Sequence, residues 1–201
     1  MHPTTLLLTL LTTTLTLAQE QQHPIMPPSP SPPTLPKIIN KHPSSLPNSH
    51  VILSDVLGTH RPVNLFAGFI RDSTALSARL EDSSLNTTVL APLNTAITAL
   101  PRKPWEDPRE YEALGTNAYE GQDGSERAAR NLEKFVQAHV VPASPWEEGV
   151  KVRSLGGGEV WWETRGEKAV VMPGEVPVER IASRVANGEV WILGGVMNYA
   201  S

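Results

Sequence analysis

The sequence predicts an α+β domain with antiparallel strands, and three observations carry that prediction. Between residues 51 and 139, apolar residues recur at helical spacing, as in PVNLFAGFIRDS and SERAARNLEKFVQAH. Beyond residue 150 the pattern changes to alternation and short apolar runs, in VKVRSL, GEVWWETRG and KAVVM. VERIASRVANGEVWILGGVMNY then reads as two strands joined at Asn187-Gly188, a dipeptide that accepts positive φ and favours a tight hairpin. Helices first and hairpin-linked strands later is the order of an α+β fold.

The elements follow in sequence. MHPTTLLLTLLTTTLTLAQEQQ runs apolar and hydroxylic from Leu6 to Leu17 and then presents Thr16-Leu17-Ala18, with small residues at both cleavage-specificity positions. Too short to span ~30 Å of hydrocarbon, residues 1–18 read as a cleaved signal peptide. Residues 19–50 form a proline/serine-rich linker, expected to be disordered and extended, because proline fixes φ and has no amide donor. A folded domain is expected over 51–201. Ser54 is placed as the cap of a short helix DVLG. Pro62 suits a first turn, and Val63, Phe66, Phe69 and Ile70 then share one helical face. Leu76 and Leu80 extend the apolar pattern by another turn or two. TTVLAP is a strand stopped by Pro92, and Asn94 is expected to cap the helix NTAITAL. Residues 101–124, polar and broken by Pro and Gly, read as a loop insertion. Ser125 then caps a helix whose Ala128, Leu132, Phe135 and His139 line one face.

Composition excludes several functions. A net charge of -4 offers no basic stripe, so nucleic acid is not expected as a partner. The absence of cysteine removes disulfides, thiolate metal sites and cysteine nucleophiles. No later apolar run is long enough for a transmembrane helix, and GGVMNYAS lacks the tail of a lipid anchor. No G-x-S-x-G elbow occurs, and the glycines at 156–158 lack the Lys-Ser/Thr of a phosphate loop. His42, His50 and His60 have no metal-ligand spacing, and Glu147-Glu148 is a solvated pair on a loop. Neither a metal nor another cofactor is expected.

Three features remain as candidates. His139 is read as a satisfied core histidine, hydrogen-bonded to backbone near Pro142; the competing reading makes it the base of a small hydrolase or lyase with an acid from 101–124. Trp161 and Trp162 are consecutive in a strand and leave on opposite faces, so one is a candidate platform for sugar or protein, unless the 101–124 insertion covers it. Asn86-Thr87-Thr88 is an N-glycosylation sequon that would place a glycan on Asn86, at the start of the TTVLAP strand. Trp105 and Trp146, each in Pro-Trp-Glu, read as anchors that pin loops to the core.

TVLAPLNTAI (88–97), NLEKFVQAHVVP (131–142) and IASRVANGEVWILGGVM (181–197) together resemble the three signatures of the fasciclin domain, in order and spacing, over residues 51–199. The residues that carry the resemblance are Thr88, Ala91, Pro92, Asn94, His139, Pro142, Asn187 and Gly188. The Pro-Trp-Glu repeats and EVWWE further resemble the fungal single-domain branch, whose members are secreted or vacuolar. The resemblance implies a wedge, a β-sandwich of short strands with helices packed along one edge. It also implies adhesion or matrix-type binding of a protein or polysaccharide, at the cell surface, wall or vacuole lumen, without catalysis. A lumenal vacuolar protein with a housekeeping or carrier role is the alternative. Leu93 stands where the family has a small hydroxyl residue, Ala138 where many animal members have tyrosine, and Trp191 where the family has a second histidine.

Overall fold

The apolar spacing that marks the first half of the chain folds as three short helices against a sheet. The computed structural model describes residues 50–199, so the signal-peptide and linker expectations lie outside the described residues, apart from His50, which is exposed. The chain runs through α1 (Leu53–Leu57), a 3-10 turn (Arg61–Val63), α2 (Asn64–Asp72) and α3 (Thr74–Glu81) into β1 (Thr87–Pro92) and α4 (Asn94–Thr98). Val63, Phe66 and Ile70 are buried as their spacing predicts, and Leu76 and Leu80 join them from α3. The cap assignments differ. At the start of α1, the Asp55 carboxylate accepts from the Ile52 amide at 2.9 Å, so Ser54 has no capping role. Ser73, unassigned in the sequence, caps α3 by accepting from the Leu76 amide.

Residues 101–124 are more regular than a loop. They contain α5 (Pro108–Leu114), a 3-10 turn (Gly115–Tyr119) and the first turn of α6 (Gly121–Ala138). Asp107 caps α5 by accepting from the Arg109 amide, and Pro108 occupies the position that needs no donor. Helix α6 therefore begins four residues before Ser125, whose hydroxyl bonds back to the Gly121 carbonyl from inside the helix. Tyr119 closes the insertion: its hydroxyl donates to Glu110 and accepts from the Asp107 amide, both at 2.6 Å. Burial and the Glu110 bond raise its pKa above the ordinary phenol value.

The strands β2 (Val140–Val141), β3 (Val152–Arg153), β4 (Glu159–Arg165), β5 (Lys168–Met172), β6 (Val176–Val185) and β7 (Gly188–Leu193) complete one seven-stranded sheet in the order β2-β1-β7-β6-β5-β4-β3. The α+β class holds. Hairpin neighbours are antiparallel, as expected, but β1 pairs parallel with β7, with Thr87 opposite Gly188 and Pro92 opposite Leu193. A parallel pair buried on both faces carries apolar residues continuously instead of alternating them. Here Val89, Ala91, Val190 and Ile192 face the helices, while Leu90, Trp191 and Leu193 face a second core with Val141, Trp146, Val160, Val171 and Met197.

The link between β6 and β7 also departs from expectation. Its two residues are Ala186 and Asn187, while Gly188 already pairs with Val185 as the first residue of β7. Gly188 takes φ 155°, and a Cβ there would overlap the Thr87 carbonyl oxygen. Asn187 is fully buried; its side-chain oxygen accepts from the Leu53 amide, and its NH2 donates to the Leu80 and Asp82 carbonyls. The dipeptide is thus fixed by tertiary contacts to α1, α3 and β1, not by turn chemistry.

Candidate functional site

His139 follows α6 directly and is fully buried. Its ring lies 4.7 Å from the Phe135 ring and 5.3 Å from that of Phe66, centre to centre. Nδ1 lies 2.7 Å from the Phe135 carbonyl, and Nε2 lies 3.0 Å from the Met197 amide nitrogen. A carbonyl can only accept and an amide N–H can only donate, so Nδ1 carries the proton and Nε2 accepts. Burial, partly opposed by the Phe135 bond, lowers the pKa of the imidazole to about 4. The partners are the carbonyl one helical turn back and the chain near residue 197, not the backbone near Pro142. With both nitrogens engaged by backbone inside an apolar shell, no acid from 101–124 reaches the ring. The hydrolase reading of His139 is overturned.

The tryptophans divide between two environments. Trp162 places its ring edge-on to Trp191 at 5.5 Å and donates from Nε1 to the Trp146 carbonyl. Trp146 packs on Trp191 at 5.7 Å and donates to the Val150 carbonyl, so it anchors the 143–150 segment as its Pro-Trp-Glu setting suggests. Trp105 packs its ring against Phe69, and its carbonyl accepts from Asn131. Trp161, one residue before Trp162 on β4, is also half-buried and packs in part against the same second core. Its indole N–H reaches toward Glu163, and the Lys151 ammonium sits 4.7 Å from its ring centre. The 101–124 insertion does not cover this pair; the segment 146–151 does.

Lys151 was not legible as a partner of Trp161. The β3–β4 register sets Val152 opposite Val160, which carries Lys151 across from Trp161. Lys151 also pairs with Glu159 at 2.9 Å, and Arg165 pairs with Glu163 and Glu175. The Arg165 bond, with a smaller share from Trp161, holds the Glu163 carboxyl below its usual range. The outer face of β4 is therefore an indole framed by exposed charges of both signs.

Asn86 is exposed immediately before β1. Thr88, two residues on, is fully buried and donates to the Ala143 carbonyl at 2.6 Å. Among the described residues no cluster of three or more His, Cys, Asp or Glu side chains could hold a metal ion, and no helix is long and apolar enough to cross a membrane.

Over 151 residues, 75% of its length, the chain is 58% identical to a FAS1 domain-containing protein of Neurospora crassa. The chain belongs to the FAS1 domain family. FAS1 domain-containing proteins of Aspergillus fumigatus and Emericella nidulans are 52% and 48% identical over 74% and 75% of this chain. The matches span 66%, 64% and 63% of the three relatives' own lengths, so this chain corresponds to about two thirds of each. No family model matches the chain. The fold is similar to a solved FAS1 domain pair from the insect cell adhesion molecule fasciclin I, with a TM-score of 0.51 and 10% identity over 74% of this chain and 51% of that one.

In this FAS1 domain the motif positions do structural work that their geometry explains. Thr88 ties β1 to the chain after β2, and Ala91 packs against the helices. Pro92 ends the strand, after which the Leu93 amide bonds to the Leu193 carbonyl. Asn94 does not cap its own helix: its oxygen accepts from the Leu65 amide near the start of α2, and its NH2 donates to the Arg61 carbonyl and to Asn64. Pro142 is exposed just beyond β2. Trp191, in place of the second histidine, is buried and donates to Glu189 at 2.7 Å, filling the core it shares with Trp146 and Trp162.

Proposed function

We propose that this FAS1 protein is a non-enzymatic glycoprotein of the secretory pathway that binds a protein or polysaccharide at the cell surface, wall or vacuole lumen. The observation that carries the binding reading is the half-buried Trp161 indole on β4, with Lys151 on its ring and Glu163 at its N–H. An aromatic face with adjacent hydrogen-bonding groups suits the apolar face and hydroxyl edge of a sugar, and equally a side chain of a protein partner. The adhesion molecule named for the similar FAS1 structure supports the same direction. Membership of a family of binding domains and the enclosure of His139 support the absence of catalysis.

The decisive test is a pull-down of the purified chain on β-glucan, chitin and cell-surface extracts, with Trp161→Ala alongside. Retention of the parent and loss in the variant are expected. Failure of all three materials to retain the parent would remove the adhesion reading. Compartment is tested separately. A tag placed after residue 201 is expected to mark the wall, the medium or the vacuole lumen, and Asn86→Gln is expected to lose one N-glycan in a gel shift. Vacuolar retention without wall binding would favour the lumenal carrier role.

A further inference from the structure

We propose that the cleft between the 100–108 segment and α6 binds a small carboxylic acid with an apolar body. The cleft has a volume of about 230 Å3, with Leu100, Pro101, Pro104 and the Tyr199 ring among its walls. Proline walls offer apolar surface, fixed φ and no amide donor, so they form a preset apolar site.

The polar groups at the cleft decide the ligand's charge. Both lining acids already have donors of their own: Glu106 accepts from the Lys103 amide and the Tyr111 hydroxyl, and Asp107 is chelated by Arg109. Asn131 donates to the Trp105 carbonyl and to Glu110, so its amide is engaged as well. Two cations remain. Arg102 and Lys134 line the cleft; neither forms an ion pair within 4 Å among the described residues, although the Lys134 charge helps to hold the Asp107 carboxyl below its usual range. The Arg102 guanidinium lies 5.8 Å from the centre of the Tyr111 ring, and its forked N–H groups match a carboxylate. The volume falls below the roughly 300–1,000 Å3 of drug-sized sites. That favours an acid of the size of cinnamate or octanoate over a lipid or a peptide.

This assignment is independent of the Trp161 surface, and its test does not involve wall material. The full chain is titrated with cinnamate, octanoate and cinnamyl alcohol by calorimetry and ligand-observed NMR. One saturable site is expected, about tenfold tighter for the acid than for the alcohol, since a charge-assisted bond is at stake. The double variant Arg102→Gln/Lys134→Gln, altered only at exposed side chains, is expected to keep its melting temperature and lose about tenfold in cinnamate affinity. The idea is overturned if neither cinnamate nor octanoate saturates, if the alcohol binds as well as the acid, or if the double variant binds cinnamate unchanged.

Discussion

The imidazole of His139 accepts a hydrogen bond from the amide of Met197, 58 positions further along the chain, and so ties the end of the long helix to the segment beyond the last strand. Because the ring is neutral and enclosed, the tie depends on pH.

Burial lowers the His139 pKa to about 4, against ~6.5 in an unfolded chain. Between those values the unfolded state takes up a proton that the folded state refuses. The stabilisation is complete above pH 6.5 and is lost as pH falls toward 4, by about 2 kcal/mol at pH 5. His60, lowered by burial and by Arg180, acts in the same direction. Urea midpoints at pH 7 and pH 5 should therefore differ, and most of the difference should persist in His60→Gln. A midpoint independent of pH in that variant would refute the assignment.

Asn187 satisfies three backbone groups with one side chain. Asn187→Ala leaves a buried amide and two carbonyls without it, and should cost about 2–4 kcal/mol in equilibrium unfolding. Asn187→Asp keeps the acceptor for Leu53 but turns an oxygen toward the two carbonyls. It should be destabilised at pH 7 and regain stability as the carboxyl protonates, a reversal that the alanine variant cannot show.

Gly188 and Gly157 both have positive φ, but only Gly188 lies against other chain. Gly188→Ala should fail to give soluble folded protein, because its methyl meets the Thr87 carbonyl and the Leu53 side chain. Gly157→Ala, with nothing within 4 Å, should cost about 1 kcal/mol from backbone strain alone. Equal expression and melting temperatures for the two variants would contradict the packing described.

Trp146 contributes both ring packing on Trp191 and a bond to the Val150 carbonyl. Trp146→Phe retains most of the packing and should lose about 1 kcal/mol. Trp146→Ala should lose about 3–5 kcal/mol and release the 143–150 segment, visible as faster hydrogen exchange there.

Much of the fold was legible because local periodicity and tertiary packing agree. Val63, Phe66 and Ile70 share a face in the sequence and the same face meets the core. The order of helices and hairpins gave the α+β class, and three motifs together pointed to the family. The parallel pairing of β1 with β7 was not read, although the unbroken apolar runs of TTVLAP and GEVWIL are what two-sided burial looks like. Asn187-Gly188 misled because the turn and the buried anchor use the same residues. The insertion misled although Asp107-Pro108 is a local helix-start signal; the contacts that hold it, from Tyr119 to Glu110 and from Asn131 to both, are tertiary and leave no local pattern. At the tryptophan pair, the sequence expects one indole on each face, whereas Trp161 and Trp162 are both half-buried and both pack against the second core; the covering segment followed from strand register and could not be read from composition.

The place of β7 has a consequence for the order of synthesis. It is the last of the described strands in chain order and yet lies near the middle of the sheet, between β1 and β6. Each β1 residue waits for a partner roughly a hundred positions downstream. A nascent chain therefore cannot close its sheet until nearly all of the domain has emerged, and such distant pairing is intrinsically slow. During that interval the Asn86-Thr87-Thr88 stretch is still open, whereas in the finished protein Thr88 is sealed inside. Any enzyme that must grasp the Thr88 hydroxyl has to act before β7 arrives.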